Sequence, residues 1–137
     1  MTGAKIFEKA VSYLEQSYSD SADSADFSVH YLNLLAQEAL PYENQVRAML
    51  GKPVLSEAPD ISVLEDELEY CDDICRVAFP YGLASFLYAN DDEIAKSNSF
   101  RQRFVSALQD SVLNAVRVAG GEVLTYEGED VYRSPWG

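Results

Sequence analysis

Between Glu69 and Tyr88 the chain carries Ile74, Val77, Ala78, Tyr81, Ala84, Ser85 and Tyr88 at helical spacing. Phe79, Leu83, Phe86 and Leu87 sit beside that stripe. A surface helix shows one apolar stripe, whereas a helix apolar nearly all round is stable only where other elements cover every side. This segment therefore predicts a buried central helix with further helices around it. Pro80 lies inside it and predicts a kink, because proline has no N–H to donate and its ring crowds the preceding turn. Gly82, also inside, costs about 1 kcal/mol against alanine, so it is read as a place where another helix comes close.

Three other segments carry a helical period. The first spans about residues 4–18, with Phe7, Ala10, Val11, Leu14 and Tyr18 on one face. The small polar run "SDSADSAD" then favours caps and turns over helix. The second spans about 25–50, marked by Phe27, Tyr31, Leu34, Leu35, Val46, Met49 and Leu50. Pro41 predicts a kink or break near Leu40, and Gly51 followed by Pro53 predicts the stop. The last spans about 92–118 with a seam of Phe100, Phe104, Val105, Leu108, Val112, Ala115 and Val116, leaving Arg101 and Arg103 off it. Asn90 or Asp91 is expected to cap it, Asp92 and Glu93 to occupy its first turn, and "AGG" at 119–121 to end it. The expectation is an all-α, single-domain bundle of four main helices, two of them bent at Pro41 and Pro80. Residues 1–121 form the domain and 122–137 a tail.

Two stretches lie outside these helices. Residues 52–68 form a long arm with apolar Val54, Leu55, Ile61, Leu64 and Leu68. Ser62 and Glu65 have the spacing of a capping box, which predicts a helical turn at 63–68. The arm must cover this chain's own core or a neighbour's. The tail carries Val123, Leu124, Tyr126, Val131, Tyr132 and the single tryptophan, Trp136. Its loose alternation around "EGED" is compatible with a small β-hairpin, which is marginal alone. The tail then packs on its own domain or docks on another surface. These apolar side chains of arm and tail are the expected interface residues.

The formal net charge of -13 excludes free nucleic acid as a specific ligand, since phosphate binding needs clustered Lys and Arg. Eight acids and no Lys or Arg fall between Glu57 and Asp73. They read as a solvated face or as a surface that meets a partner and repels DNA. No membrane-spanning run and no signal-peptide block is found, so a cytosolic protein is expected. Cys71 and Cys75 share a helical face, but the lone histidine, His30, is remote, and a pair of reduced thiols is expected with no metal and no cofactor. No catalytic triad, phosphate loop or calcium loop is present, so no enzyme activity is expected.

Three phrases in order carry a family resemblance: "NQVRAMLGKPVLSEAPDISVLEDELEY" (44–70), "FPYGLASFLYANDDEIAKSNSFRQRF" (79–104) and "EDVYRSPWG" (129–137). Over about residues 5–133 the chain resembles small all-helical head–tail connector, or adaptor, proteins of tailed phages and prophages. The resemblance implies a structural assembly protein with no enzyme activity. It implies a ring of copies on assembly, whether the free protein is a monomer or an oligomer, bound to the portal protein and a tail-side completion protein. DNA would only pass through its channel. It places the protein in the host cytoplasm during assembly and then at the head–tail junction of the virion. Two other readings stand beside it: an acidic DNA mimic or other protein-binding module, and a small enzyme or ligand-binding bundle.

Overall fold

The computed structural model describes residues 1–14 and 21–127. Helix α1 spans Gly3–Ser12, α2 spans Ser21–Met49, α3 spans Phe79–Asn90 and α4 spans Ile94–Glu127. A π-helical turn, Ile74–Ala78, leads directly into α3. The described part is an all-helical bundle, as the apolar periodicity requires. Its centre is α3, in which eight of twelve residues are buried, among them Phe79, Leu83, Leu87 and Tyr88. Around them pack Ile6 and Ala10 of α1, Leu32, Leu35, Ala36 and Ala39 of α2, and Phe100, Phe104 and Leu108 of α4. Gly82 is the contact point expected of it. A Cβ there would sit 2.7 Å from Leu35 Cδ2 and 2.9 Å from Phe104 Cδ1, so α2 and α4 both press on the glycine.

Pro80 is the second residue of α3, but helical backbone already runs through residues 72–78, so its missing N–H leaves a carbonyl of the preceding turn without its donor. The π turn just before it shifts the ladder, with the Phe79 N–H reaching back to the Ile74 carbonyl. In an α-helix the group facing residue 80 would be the Arg76 carbonyl. Here Lys9 Nζ from α1 donates to that carbonyl at 2.9 Å. Pro41 neither breaks α2 nor ends it. Its own ring is exposed, while Leu35, Ala36 and Ala39 before it and Glu43 and Val46 after it are buried against the rest of the molecule. Tertiary burial of both halves outweighs the roughly 3 kcal/mol that an interior proline costs.

Helix ends depart from expectation in instructive ways. Gly51 stops α2, at φ 73, with Lys52 N–H bonding the Arg47 carbonyl at 2.8 Å and Gly51 N–H the Ala48 carbonyl at 3.3 Å. That is a Schellman motif. The acid run "NDDE" builds a second one at the end of α3, rather than the first turn of α4. Asp92 takes the left-handed position at φ 61, and Glu93 N–H reaches the Tyr88 carbonyl at 2.9 Å. Helix α1 ends at Ser12, earlier than the expected 18; residues 15–18 lie outside the described ones. Gly120 and Gly121 do not end α4, which runs on to Glu127. Glycine is only a poor helix former, and the stop needs a reversal of the chain that is absent here. Residues 123–126 are thus helical, and the hairpin their alternation allowed does not form there.

Candidate interaction surface

The arm is fastened to its own chain. Two asparagines on α2, Asn33 and Asn44, each hold one arm residue by both backbone groups. Asn33 accepts from the Ile61 N–H at 2.8 Å and donates to the Ile61 carbonyl at 3.0 Å. Asn44 treats Leu55 the same way, at 2.8 and 3.0 Å. The asparagines are about three helical turns apart and so share a face, and the arm runs back along that face. A second set of bonds ties the arm to α1. The Gly3 and Ala4 N–H groups, which a helix leaves without internal partners, donate to the Asp66 and Leu64 carbonyls at 3.1 and 2.7 Å. Thr2 Oγ1 caps the next one, Lys5 N–H, at 3.2 Å.

An ion pair between buried Glu43 and half-buried Arg47 completes the fastening. Glu43 is 2% exposed. Its Oε2 takes Arg47 Nε at 2.6 Å, and its Oε1 takes the Cys71 N–H at 2.8 Å. Arg47 spends its other nitrogens on the Pro53 and Glu69 carbonyls, each at 3.1 Å. One side-chain pair thereby closes both ends of the arm. The expected turn at 63–68 is not helical. The Asp66 carboxylate collects the Ser62 and Val63 N–H groups at 2.8 and 3.2 Å, a task the capping-box reading had assigned to other residues.

The arm's apolar residues are therefore divided. Ile61 and Leu68 are buried in this chain's own core, and Leu55 and Leu64 pack against it half-buried. Ile61 and Leu68 thus cover this chain's own core, one of the two alternatives the arm left open. Val54 alone of the five is an exposed large apolar side chain, at 58%. In the tail, Val123, Leu124 and Tyr126 fall on the helical backbone of α4, while Val131, Tyr132 and Trp136 lie outside the described residues. Sequence reasoning missed Asn33, Asn44, Glu43 and Arg47. The available signals were the i, i+4 spacing of the ion pair and the polar interruptions beside the apolar face of α2.

The acidic stretch is partly used up internally. Asp73 accepts from Asn114 Nδ2 at 3.0 Å, and Asp66 holds its turn. Glu67 meets the Met1 ammonium at 2.9 Å. Asp72 and Arg76, both well exposed, come to 3.9 Å. Glu57, Asp60, Glu65 and Glu69 lie on the surface. Cys75 is buried, its thiol 3.3 Å from the Leu68 carbonyl, and Cys71 is half-buried. Burial pushes both thiols up, Cys71 to about 12. Burial likewise pushes up the phenol of Tyr70, whose hydroxyl donates to the Ala36 carbonyl at 2.5 Å. Among the described residues no group of three or more His, Cys, Asp and Glu is arranged to hold a metal ion. His30 is exposed beside a broad hollow of about 530 Å³ between α2 and the arm.

The surface left over is at the far end of α4. Its last buried described side chain is Ala115. Leu113 is 52% exposed, and Val116 and Val118 are also exposed. A Cβ at Gly120 would meet nothing within 4 Å. The second half of the helix thus carries exposed apolar side chains. Among the described residues no helix is long and apolar enough to cross a membrane. No protein-family model, curated protein or solved structure matches the chain.

Proposed function

We propose that the chain is a structural protein of tailed-phage assembly, a head–tail connector that forms a ring against the portal protein. The observation that carries the reading is the exposed apolar side of the second half of α4. That helix is 34 residues, about 51 Å, long, and Leu113 and Val116 stand exposed on the side turned away from its buried Ser111 and Ala115. Exposed apolar side chains on a long helix are a contact for another surface. A contact between different faces of identical subunits repeats into a ring when the rotation closes. The arm, already bound to its own helices, then serves to stiffen the protomer that the ring repeats.

The net charge of -13 supports the same reading. A lining of acids lets DNA pass without holding it, because phosphate is repelled rather than bound. In the acidic stretch Asp66 and Asp73 are turned to the chain's own groups, while Glu57, Asp60, Glu65 and Glu69 lie on the surface. The function needs no cofactor, no metal and no catalytic residue. In a cell the protein would act in the host cytoplasm and end at the head–tail junction, between the portal and a tail-side completion protein.

The test is to mix the purified chain with portal protein from the same phage or prophage and examine the mixture by sedimentation and negative-stain microscopy. Rings seated on the portal are the expected result. A chain that stays monomeric and ignores the portal at high concentration overturns the proposal.

A further inference from the structure

A narrow groove of about 190 Å³ lies between the C-terminal end of α2 and the second half of α4. Val46, Leu50, Ala115 and Val118 make it apolar, and Asp72 and Asp73 stand at its edge. Leu50 is 41% and Val118 61% exposed, so its walls are open on the protomer. On α4 the groove follows Ser111, Asn114, Ala115 and Val118, one continuous helical face.

We propose that this groove is the docking site of the chain's own C-terminal segment, residues 128–137, folded back along α4. Three observations converge on that occupant. The first is connection. Gly128 follows Glu127 directly, and glycine is the residue with which helices reverse direction. The second is reach. From Glu127 back to Val118 is about 14 Å along the helix, and to Ser111 about 24 Å, at 1.5 Å per residue. An extended strand advances about 3.3 Å per residue. Tyr132 then arrives beside Val118, and Trp136 reaches the end of the groove at Ser111 and Val46. The third is chemistry. The segment "VYRSPWG" offers Val131, Tyr132 and Trp136 to the apolar walls and its one cation, Arg133, to Asp72 and Asp73. Docking within one chain is further favoured by the high effective concentration of a tethered segment. The contact uses the Val118 face of α4 and leaves Leu113 and Val116 on its other side. It stands whether or not the chain forms a ring.

Trp136 is the only tryptophan, so its fluorescence reports this contact in the full-length protein without a label. The expected result is blue-shifted emission, with acrylamide quenching several-fold weaker than for a synthetic peptide of residues 128–137. Val118→Lys and Leu50→Lys, at exposed positions that leave folding intact by circular dichroism, should each return emission and quenching to those of the peptide. As a second measurement, Trp136→Ala should move the methyl resonances of Leu50 and Val118, which lose the ring current of the indole. Three results overturn the proposal. Emission of the unchanged protein equal to that of the peptide means the segment is undocked. Protection that survives both lysine variants places the segment elsewhere. Protection that appears only as concentration rises assigns the groove to the segment of a second copy.

Discussion

At Gly82 the requirement is absence of a side chain. Leu35 and Phe104 close on it from two helices, and a methyl group must push one of them off its rotamer. Gly82→Ala should destabilise the protein by about 1–3 kcal/mol, read as a lower urea midpoint, despite alanine's better helix propensity. A midpoint that rises would show that propensity wins and that the neighbours yield. Cys71 makes a different prediction. Burial, reinforced by Glu43 and Asp73, holds its thiol at about 12 against an ordinary 9.0. A group raised in the folded state contributes full stability below its unfolded pKa and loses it as pH rises toward the folded one. The urea midpoint should therefore fall above about pH 9, and less steeply in Cys71→Ser. The same thiol should react slowly with iodoacetamide near neutral pH, since the thiolate is the nucleophile. An unchanged alkaline profile in Cys71→Ser would contradict the assignment.

Among the elements, the arm shows how irregular chain is held without a sheet. Asn33 and Asn44 present to it what a neighbouring strand would, one acceptor and one donor each. Asn33→Ala or Asn44→Ala strands one N–H and one carbonyl, and each should cost about 1–3 kcal/mol. Faster hydrogen exchange at the Ile61 or Leu55 amide, with the helical signal retained, is the expected signature. The double variant should open the arm to proteolysis between α2 and the π turn. Protected amides in both variants would mean that burial of Ile61 and Leu68 alone holds the arm. The same local logic explains the opening of α3. A π turn and Lys9 absorb the defect that Pro80 creates. The sequence reveals the proline and its cost, but the remedy comes from a lysine on another helix.

For the whole molecule, the proposed ring depends on the far end of α4 rather than on the arm. Leu113→Glu combined with Val116→Glu should leave melting nearly unchanged, within about 0.5 kcal/mol per site, because both side chains are already exposed. Portal binding and ring formation should be lost, as measured by sedimentation of the mixture. If the double variant still assembles, the interface lies on another face. Deleting residues 128–137 should likewise spare the helices, and the fluorescence of Trp136 separates its docking from any role in assembly.

The all-α class, the central place of the 69–88 segment, the crowding at Gly82 and the stop at Gly51 were legible in the residues themselves. Each rests on local information: a repeat of apolar positions, or a glycine where only glycine is cheap. The packing decided the rest. Pro41 is tolerated because burial on both sides of it outweighs one lost bond. Asp92 ends a helix rather than starting one because its left-handed turn lets Asp92 and Glu93 close the last carbonyls of α3, at Ala89 and Tyr88. Ile61 and Leu68 turn inward because Asn33, Glu43 and Arg47, distant in sequence, take up the arm's backbone groups. The Pro41 and arm choices depend on partners far along the chain, and only the folded arrangement brings the partners together.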